Sequence, residues 1–467
     1  MEVGQILGTL VAAFGLFAAA GASFHALLNK RRPQSAFGWI AVCLTLPLAG
    51  ALLYYLFGIN RVQTRARRLL TRYPEPNCPT EYVGTPPPQL APLARLGSAV
   101  TGWPLTAGNR VEMLGDAGTI FEAMLGAIGA AREYVYFTTY IFDGGRLGRR
   151  FAAALSAAAE RGVDVRVLLD GVGEWYSMPR ASALLKGTRV RLERFLPPRL
   201  LPPTVSLNLR NHRKSLVIDG HEAFTGGINI RDRYLAEDGE ERVVDLHFRL
   251  LGPVAAQIET VFLRDWHFAT GDALTAARPV PRPGGSALCR VVADGPDGKL
   301  DRLTALYTGA IGSARQRIAI MTPYFVPPRE LIAPLQAAAL SGVDVAVILP
   351  QRNNLPYVHR ATRHLLWELL QRGVQVYYQP PPFVHSKLFY VDDYYAQIGS
   401  ANFDARSLRL NFELNVEVYD RETVTSLAAH FEAVRARSSA VTLADVDGRP
   451  LTTKALDGAA WLFSPYL

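Results

Sequence analysis

The sequence has little cysteine, with only Cys43, Cys78 and Cys289 among its 467 residues. Three thiols without metal-like spacing are too few for a disulfide framework, so they indicate a reducing compartment or no reliance on disulfides. Charged residues are also somewhat scarce, at 19% of the chain, whereas hydrophobic residues reach 49%. This apolar excess is not spread evenly, because it is concentrated near the N-terminus.

Charge is absent from two N-terminal runs, residues 3–28 and 37–58. A helix of the length of the shorter run spans roughly 33 Å, enough to cross a hydrocarbon core of about 30 Å. Pro47 in the second run is tolerated better in membrane helices than in soluble ones. The chain opens Met1-Glu2-Val3, without the basic segment of a signal peptide. Two such runs in succession also argue against a buried hairpin, so we predict two N-terminal membrane helices.

Basic residues outnumber acidic ones and give a net charge of +9, which favours an anionic partner, either nucleic acid or anionic lipid. Basic clusters follow both apolar runs, and the larger one follows the second run. By the positive-inside rule we predict that the remainder of the chain lies on the cytoplasmic side of the inner membrane. The two clusters are Lys30, Arg31 and Arg32, and Arg61, Arg65, Arg67, Arg68 and Arg72.

The rest of the chain contains a duplicated α/β pattern. "GVDVRVLL" and "GVDVAVIL" are nearly identical and lie 180 positions apart. An apolar strand, a helix and a second apolar strand predict parallel pairing with both faces of the sheet covered. These elements are predicted at 134–143, 147–162 and 163–170, and again at 317–326, 329–342 and 343–350.

We predict four segments along the chain. A two-helix membrane anchor covers residues 1–60, a juxtamembrane linker 61–105, and two α/β lobes 106–283 and 284–467. The Pro- and Gly-rich stretch "RPVPRPGG" at 278–285 predicts the lobe boundary, and the Pro-rich residues 84–94 predict the spacer before the first lobe.

Each half also carries the same polar motif. "RNHRKSLVIDG" and "VHSKLFYVDD" both contain His-x-Lys-x-x-x-x-Asp, and an asparagine follows each histidine by 17 residues, in "TGGIN" and "IGSAN". Repetition at this scale predicts two pseudo-equivalent lobes. The residues are His212, Lys214, Asp219 and Asn229 in one half, and His385, Lys387, Asp392 and Asn402 in the other.

The motif suits phosphate chemistry. On a strand, side chains two residues apart share a face, so His and Lys point into one cleft. There the ammonium neutralises phosphate oxygens while the imidazole attacks phosphorus or exchanges protons. Two lobes related by a pseudo-twofold axis would bring the two His-Lys pairs together at one site. One histidine can then be the nucleophile and the other the general acid. Asn229 and Asn402 can donate to the equatorial oxygens of the phosphate.

Four acidic residues are candidates for supporting roles. Asp219 and Asp392 follow their histidines by seven residues, an odd spacing that turns them to the opposite face and favours a turn or inter-strand hydrogen bond. Asp245 and Glu413 lie in aligned strands, 33 and 28 residues after the histidine of their own half. These two can fix the tautomers of the histidines.

The duplicated motifs resemble the signature of the phospholipase D superfamily. Within it, the two apolar helices, "TPYFVPP", "IGSANFDARSLRLNFELN" and the closing "FSPYL" are similar to bacterial cardiolipin synthases over essentially the whole chain. The resemblance implies two pseudo-twofold-related α/β lobes, with mixed sheets flanked by helices, after two transmembrane helices. It implies a candidate catalytic set of His212, Lys214, Asp219, His385, Lys387 and Asp392, supported by Asn229, Asn402, Asp245 and Glu413.

The resemblance also implies a reaction. A phosphatidyl group passes between two phosphatidylglycerol molecules through a phosphohistidine on His212, giving cardiolipin and glycerol without ATP, cofactor or metal. The implied partners are phosphatidylglycerol and anionic membrane lipids rather than nucleic acid.

Three other functions remain open. A membrane-anchored phospholipase D would release phosphatidic acid, or the acceptor would be another alcohol. A phosphodiesterase acting on DNA fits the basic charge, but it needs no membrane anchor and the sequence shows no aromatic-basic stacking surface. A lipid-binding scaffold would be expected to lose a His or Lys from its motifs, and both motifs are complete.

Three further features each allow two interpretations. The Pro-rich apolar segment 193–210 is either a packed surface loop or an interfacial segment beside the site. The basic helix at 354–373 is favoured as a lobe helix over a headgroup clamp. Tyr140 and Tyr324 end equivalent strands, where they either line the cleft or pack.

Overall fold

A computed structural model of the chain describes residues 3–30, 33–59, 83–198, 209–236, 242–272, 284–295 and 301–467. The arginines after the second apolar run, most of segment 193–210 and most of the predicted lobe boundary lie outside these residues. The chain divides into two compact units, residues 1–66 with 198–205, and residues 67–197 with 206–467. The predicted anchor belongs to the first unit and both predicted lobes belong to the second.

The first unit is helical, with α1 at Val3–Asn29, α2 at Pro33–Thr45, α3 at Pro47–Leu53 and a π-helical turn at Tyr54–Gly58. In the described residues, one helix is long and apolar enough to cross a membrane, Gly4–Asn29, with a mean hydropathy of 1.9. The second apolar run is broken at Leu46, whose φ of −130° and ψ of 74° leave the helical region. The ring of Pro47 disfavours a helical conformation of the residue before it. The structure therefore contains one helix of spanning length where two were predicted.

The second unit is built from strands and helices in both halves of the chain. The first half contributes β1 Thr106–Leu114, β2 Tyr134–Thr139, β3 Asp164–Asp170, β4 Arg191–Phe195, β5 Ser215–Ile218, β6 Glu222–Gly226, β7 Val243–Val244 and β8 His247–Leu251. The second half contributes β9 Ala287–Asp294, β10 Arg317–Met321, β11 Phe325–Val326, β12 Asp344–Pro350, β13 Gln375–Gln379, β14 Phe383–Val384, β15 Leu388–Val391, β16 Tyr395–Gly399, β17 Phe403–Asp404, β18 Glu413–Tyr419 and β19 Ser439–Val441. The helices are α4 Ala91–Thr101, α5 Ala117–Ala130, α6 Arg146–Glu160, α7 Ala181–Leu184, α8 Val254–Thr270, α9 Arg302–Ser313, α10 Arg329–Leu340, α11 Pro356–Leu370, α12 Ala405–Arg409, α13 Arg421–Arg435, α14 Leu443–Asp447 and α15 Leu451–Trp461.

One mixed sheet of 15 strands runs through both halves, which meet at the antiparallel pair β1–β9. Outward from this pair, the first half reads β1-β8-β6-β5-β2-β3-β4 and the second half reads β9-β18-β16-β15-β10-β12-β13-β19. Equivalent strands therefore occupy equivalent places, with β19 added at one edge. In each half one set of three strands is parallel, β2-β3-β4 and β10-β12-β13. The predicted duplicated α/β fold is confirmed, with a mixed sheet.

Each half has its own hydrophobic core between the sheet and its helices. The core of the first half includes the fully buried Phe151 and Phe224. The core of the second half includes Tyr307 and Phe389. The central strands are buried along nearly their whole length, which explains this layering because near-continuous apolar strands are covered on both faces.

Part of the predicted linker is folded. Helix α4 packs Leu93 and Ala94 into the core of the second half, and Arg290 Nη1 donates to Ala94 O at 3.0 Å. Gly102 ends the helix in the left-handed conformation, with φ of 73°. The predicted spacer at 84–94 therefore overlaps a helix that belongs to the second unit.

The two motif aspartates end equivalent strands. Asp219 follows β5 and Asp392 follows β15, with φ of 47° and 54°. The Asp219 carboxylate accepts the backbone N–H groups of residues 132–134 at 2.9 Å, and Asp392 accepts those of 315–317 at 2.8–3.2 Å. Each carboxylate thus joins the far end of its strand to the loop before β2 or β10. This is the structural role that the odd spacing favours, and it does not support their place in the candidate catalytic set.

We expect Asp392→Ala to lower the free energy of unfolding by about 2 kcal/mol, because three backbone N–H groups lose a charged acceptor. The change is measured as a lower midpoint of thermal unfolding in detergent. The neighbouring Asp393 is the matched control, since its side chain is 65% exposed and pairs only with the exposed Arg421. Asp393→Ala is expected to change stability by less than about 0.5 kcal/mol. Equal midpoints for the two variants would contradict the structural role of Asp392.

Candidate active site

The segment that carries each histidine is hydrogen-bonded to a segment of the other half. Asn211 forms a parallel bridge with Phe412, and His212 N donates to Phe412 O at 2.9 Å. In the same way β14 pairs with β7, and His385 N donates to Val244 O at 2.8 Å. Phe412 and Val244 each directly precede an acidic residue. The backbone therefore sets each histidine beside the acid of the opposite half.

The side chains form crossed histidine–carboxylate pairs. His212 Nδ1 lies 3.0 and 3.1 Å from the two oxygens of Glu413, and His385 Nδ1 lies 2.8 Å from Asp245 Oδ2. Both carboxylates are fully buried, and Glu413 also accepts Ser400 Oγ at 2.5 Å. Each acid therefore contacts the histidine of the opposite half, which the spacing within each half did not indicate. Each contact favours the tautomer with its proton on Nδ1. The unprotonated Nε2 is then available to attack phosphorus or to exchange a proton.

Both motif lysines are buried next to their histidines. Lys214 Nζ donates to His212 O at 2.7 Å, and Lys387 Nζ donates to His385 O at 2.6 Å. Burial and the charge of Lys387 lower the pKa of Lys214 to about 7, although Glu413 opposes the shift. Burial lowers the pKa of Lys387 to about 8. Both lysines thus gain strongly from an anion, whose charge favours their protonated forms.

Both imidazoles have pKa values below the ordinary range of histidine. Burial lowers the pKa of His212 to about 4, assisted by Lys214 and opposed by Glu413. Burial and Lys387 likewise lower the pKa of His385 to about 4, opposed by Asp245. Burial alone would raise the pKa of Glu413, but His212 and Lys214 hold it below its usual value. Glu413 therefore stays ionised beside a neutral imidazole.

The two motif asparagines have different partners. Asn229 Oδ1 accepts Ile141 N at 3.2 Å, which turns the amide so that its N–H groups are available. Asn402 Nδ2 donates to Ser407 Oγ at 3.3 Å, while its buried Oδ1 has no hydrogen-bond partner among the described residues. Both side chains line the cavity described next.

The site opens into a cavity of about 340 Å³ whose wall comes from both halves. His212 and His385 lie on this wall, and neither Asp219 nor Asp392 does. The volume is that of a small-molecule pocket, with aromatic, apolar and charged lining. The other lining residues are Tyr140, Ile141, Tyr176, Arg210, Asn229, Arg231, Arg233, Tyr234, Val243, Tyr324, Asn354, Leu355, Tyr357, Val358, Phe383, Asn402, Asp404, Arg406, Ser407, Asn411 and Leu467.

Tyr140 and Tyr324 both line the cavity, so the cleft interpretation applies to them. The ring of Tyr140 lies 5.3 Å from that of His212, and the ring of Tyr324 lies 6.1 Å from that of His385. Their strands end earlier than predicted, at Thr139 and Met321. After β2, Thr139 Oγ1 donates to Ile141 O, and an equivalent bond follows β10, so the chain bends and exposes the tyrosines to the cavity.

Helix α11 contributes to the cavity only through its first turn. Tyr357 and Val358 line the wall, whereas Arg363 is ion-paired with Asp457 at 2.6 Å and the ring of His364 lies 5.0 Å from that of Trp461. These basic residues face α15 and not the site. The favoured interpretation as a lobe helix agrees with this placement.

Four charged residues of the cavity were not among the candidates that the sequence indicated: Arg231, Arg233, Asp404 and Arg406. A signal was present, because an arginine follows each motif asparagine by four residues, Arg233 after Asn229 and Arg406 after Asn402. Two residues after the asparagine, however, the halves differ, with an arginine in the first and an aspartate in the second. Burial raises the pKa of Asp404 to about 7, although Ser407 N donates to it.

In the part of the chain that the structure describes, no group of three or more His, Cys, Asp or Glu side chains could hold a metal ion.

Known proteins match this chain in sequence and in fold. Residues 124–266 and 307–435 match the family described as "Cardiolipin synthase, PLD-like domain", and residues 17–58 match a "Phospholipase_D-nuclease N-terminal" family. The chain is 32% identical to a cardiolipin synthase of Geobacillus kaustophilus, over 98% of this chain and 95% of that protein. It is also 32% identical to the major cardiolipin synthase of Bacillus subtilis, over 94% and 95%.

Among solved structures, the fold is similar to that of phosphatidylserine synthase from Haemophilus influenzae. The TM-score is 0.62 at 16% sequence identity, over 80% of this chain and 100% of that one. The duplicated family match, the full-length relatives and the paired motifs agree. The chain belongs to the cardiolipin synthase family with phospholipase D-like domains.

Proposed function

We propose that this protein is a phosphatidyltransferase that moves a phosphatidyl group from one phosphatidylglycerol to a hydroxyl of a second, giving cardiolipin and glycerol. The observation that carries the proposal is the crossed pair of imidazoles at one cavity, each held by a buried carboxylate and each next to a buried lysine. Such a centre has a nucleophile, an acid and a charge clamp for one phosphodiester. The full-length similarity to cardiolipin synthases supports phosphatidylglycerol as the lipid.

In the first step, Nε2 of His212 attacks the phosphorus of the donor lipid. An N–P bond forms, the P–O bond to glycerol breaks, and Nε2–H of His385 gives its proton to the leaving oxygen. The negative phosphodiester raises the pKa of the neighbouring imidazole, so His385 takes up this proton as the donor binds.

His212 is assigned as the nucleophile from the resemblance to the phospholipase D superfamily, because the pseudosymmetry of the halves gives both imidazoles equivalent partners. The Nζ of Lys387 lies 3.0 Å from Nδ1 and 3.2 Å from Nε2 of His385, so it contacts both ring nitrogens.

In the second step, neutral His385 removes the proton from a hydroxyl of the acceptor lipid. The oxygen attacks phosphorus and the N–P bond to His212 breaks, which restores both histidines. Lys214, Lys387 and the amide of Asn229 stabilise the charge that develops on the equatorial oxygens. Glu413 and Asp245 hold the two imidazoles in place, while Asp219 and Asp392 support the strands.

The central experiment uses purified protein in mixed micelles with phosphatidylglycerol labelled in its glycerol headgroup and with EDTA present. The wild type is expected to release glycerol and form cardiolipin in equal amounts. His212→Ala and His385→Ala are each expected to lower turnover by about a thousandfold or more, because each removes a reacting group. Phosphatidic acid as the main product would instead identify a lipase. Loss of turnover with EDTA would contradict a metal-free reaction.

The crossed pairing predicts opposite behaviour for the two acid variants. Glu413→Gln makes His212 a weaker nucleophile. It is therefore expected to lower the rate of transfer from every donor by about a hundredfold or more. Asp245→Asn weakens the proton donor His385, so its defect is expected to disappear largely with a nitrophenyl phosphodiester, whose leaving group needs no proton. The burst of nitrophenol release, followed for each variant, measures the rate of the first step in both cases. Pairing within halves would reverse the two results.

We also infer a two-span anchor at residues 1–60 and a cytoplasmic position for the lobes at 106–283 and 284–467. The helix Gly4–Asn29 and the uncharged run from Phe37 to Gly58 support two spans, because a membrane helix tolerates the break at Pro47. Single cysteines introduced at Arg31 and Arg421 test this inference through labelling of intact cells with an impermeant maleimide. We expect Arg31→Cys to react from outside and Arg421→Cys to react only after lysis. The reverse pattern would place the lobes outside.

A further inference from the structure

Arg406 differs from the other arginines of the cavity in its surroundings. Arg210 is ion-paired with Asp170 at 3.2 Å, and Arg231 is ion-paired with Asp143 at 2.8 Å. No ion pair joins Arg406 to a carboxylate within the described residues. The side chain is half-buried on α12 and lines the cavity. A partly buried guanidinium without an ionic partner favours an anion from outside the chain.

The position of Arg406 lies between the two halves. Its charge acts on Tyr140 of the first half, next to His212, and on Asp404 of the second half. Its backbone N–H donates to Leu467 O at 2.9 Å, so the last residue of the chain holds its helix in place. The backbone of Arg406 is therefore held at the wall of the cavity, and its side chain lies within reach of a group beside the reacting phosphate.

The charges of the catalytic centre already balance without Arg406. The ammonium groups of Lys214 and Lys387 face the carboxylates of Glu413 and Asp245. The reacting phosphodiester brings one negative charge, and the protonated His385 brings one positive charge. Asp404 neutralises only part of the positive charge of Arg406, because burial raises the pKa of Asp404 to about 7. The cavity therefore has positive charge beyond what one phosphodiester requires.

A second anion is part of the proposed reaction. When phosphatidylglycerol is the acceptor, its attacking hydroxyl is separated from its own phosphate by the three carbons of glycerol. That phosphate enters the cavity but takes no part in bond making. Water and simple alcohols have no such group, so a cation for it would favour transfer over hydrolysis.

We propose that Arg406 binds the non-reacting phosphate of the acceptor lipid. This inference rests on the proposed function. The fork of the guanidinium donates to two phosphate oxygens and orients the glycerol hydroxyl towards His385. Arg406 is in this account a specificity-determining residue, since the transferred phosphate lies with the lysines and histidines.

The test compares two acceptors in one vesicle. Vesicles contain phosphatidylglycerol labelled in its acyl chains together with monoacylglycerol, which offers a glycerol hydroxyl without a phosphate. Transfer to the first acceptor gives cardiolipin, and transfer to the second gives acyl-phosphatidylglycerol. In Arg406→Gln the ratio of the two products is expected to fall about tenfold, which corresponds to about 1.4 kcal/mol. Arg406→Lys keeps the charge without the fork and is expected to lower the ratio about threefold.

Arg421→Gln is the control for loss of one positive charge, because Arg421 is 70% exposed in the second half and lies outside the cavity lining. Its product ratio is expected to equal that of the wild type. An unchanged ratio in both Arg406 variants, or an equal loss of both products, would overturn the inference. If Arg406→Gln does not fold, the lysine variant alone decides. A wild type that forms no cardiolipin would contradict the proposed function itself, which is a separate failure.

Discussion

The contact between each histidine and the carboxylate of the opposite half is the interaction on which the site depends. Glu413 reaches His212 and Asp245 reaches His385 because short backbone pairings cross between the halves. Neither half therefore holds a complete set of groups. The continuous sheet through β1 and β9 fixes the halves side by side, and this rigid arrangement gives the crossed contacts their short distances.

Burial of the same groups determines how the centre responds to charge. Burial holds the imidazoles neutral and lowers the pKa values of the lysines to about 7 and about 8. A nearby negative charge favours every protonated form, so a phosphodiester would reverse part of that shift. In the proposed mechanism, substrate binding and proton uptake are therefore linked, and the acid of the first step forms as the donor lipid binds.

The duplicated α/β fold and the meeting of both motif histidines at one cavity could be predicted from the sequence, because both are encoded by short patterns. The apolar strands, the duplicated motifs and the odd spacing of Asp219 and Asp392 each depend on neighbouring residues. Other features depend on how segments pack. The alignment of Asp245 with Glu413 could not indicate which histidine each one meets across the halves. The repeated arginine at Arg406 was visible as a pattern, but its lack of an ionic partner was not.

The crossed contacts have a consequence for how the two repeats can change over time. Loss of the acid in one repeat acts first on the imidazole of the other, so neither copy can decay or specialise alone at these positions. Divergence is confined to sites outside the contacts, and Arg231 and Asp404 are such a pair. The two repeats are thus held alike at their centre and are free to differ at the margin of the cavity.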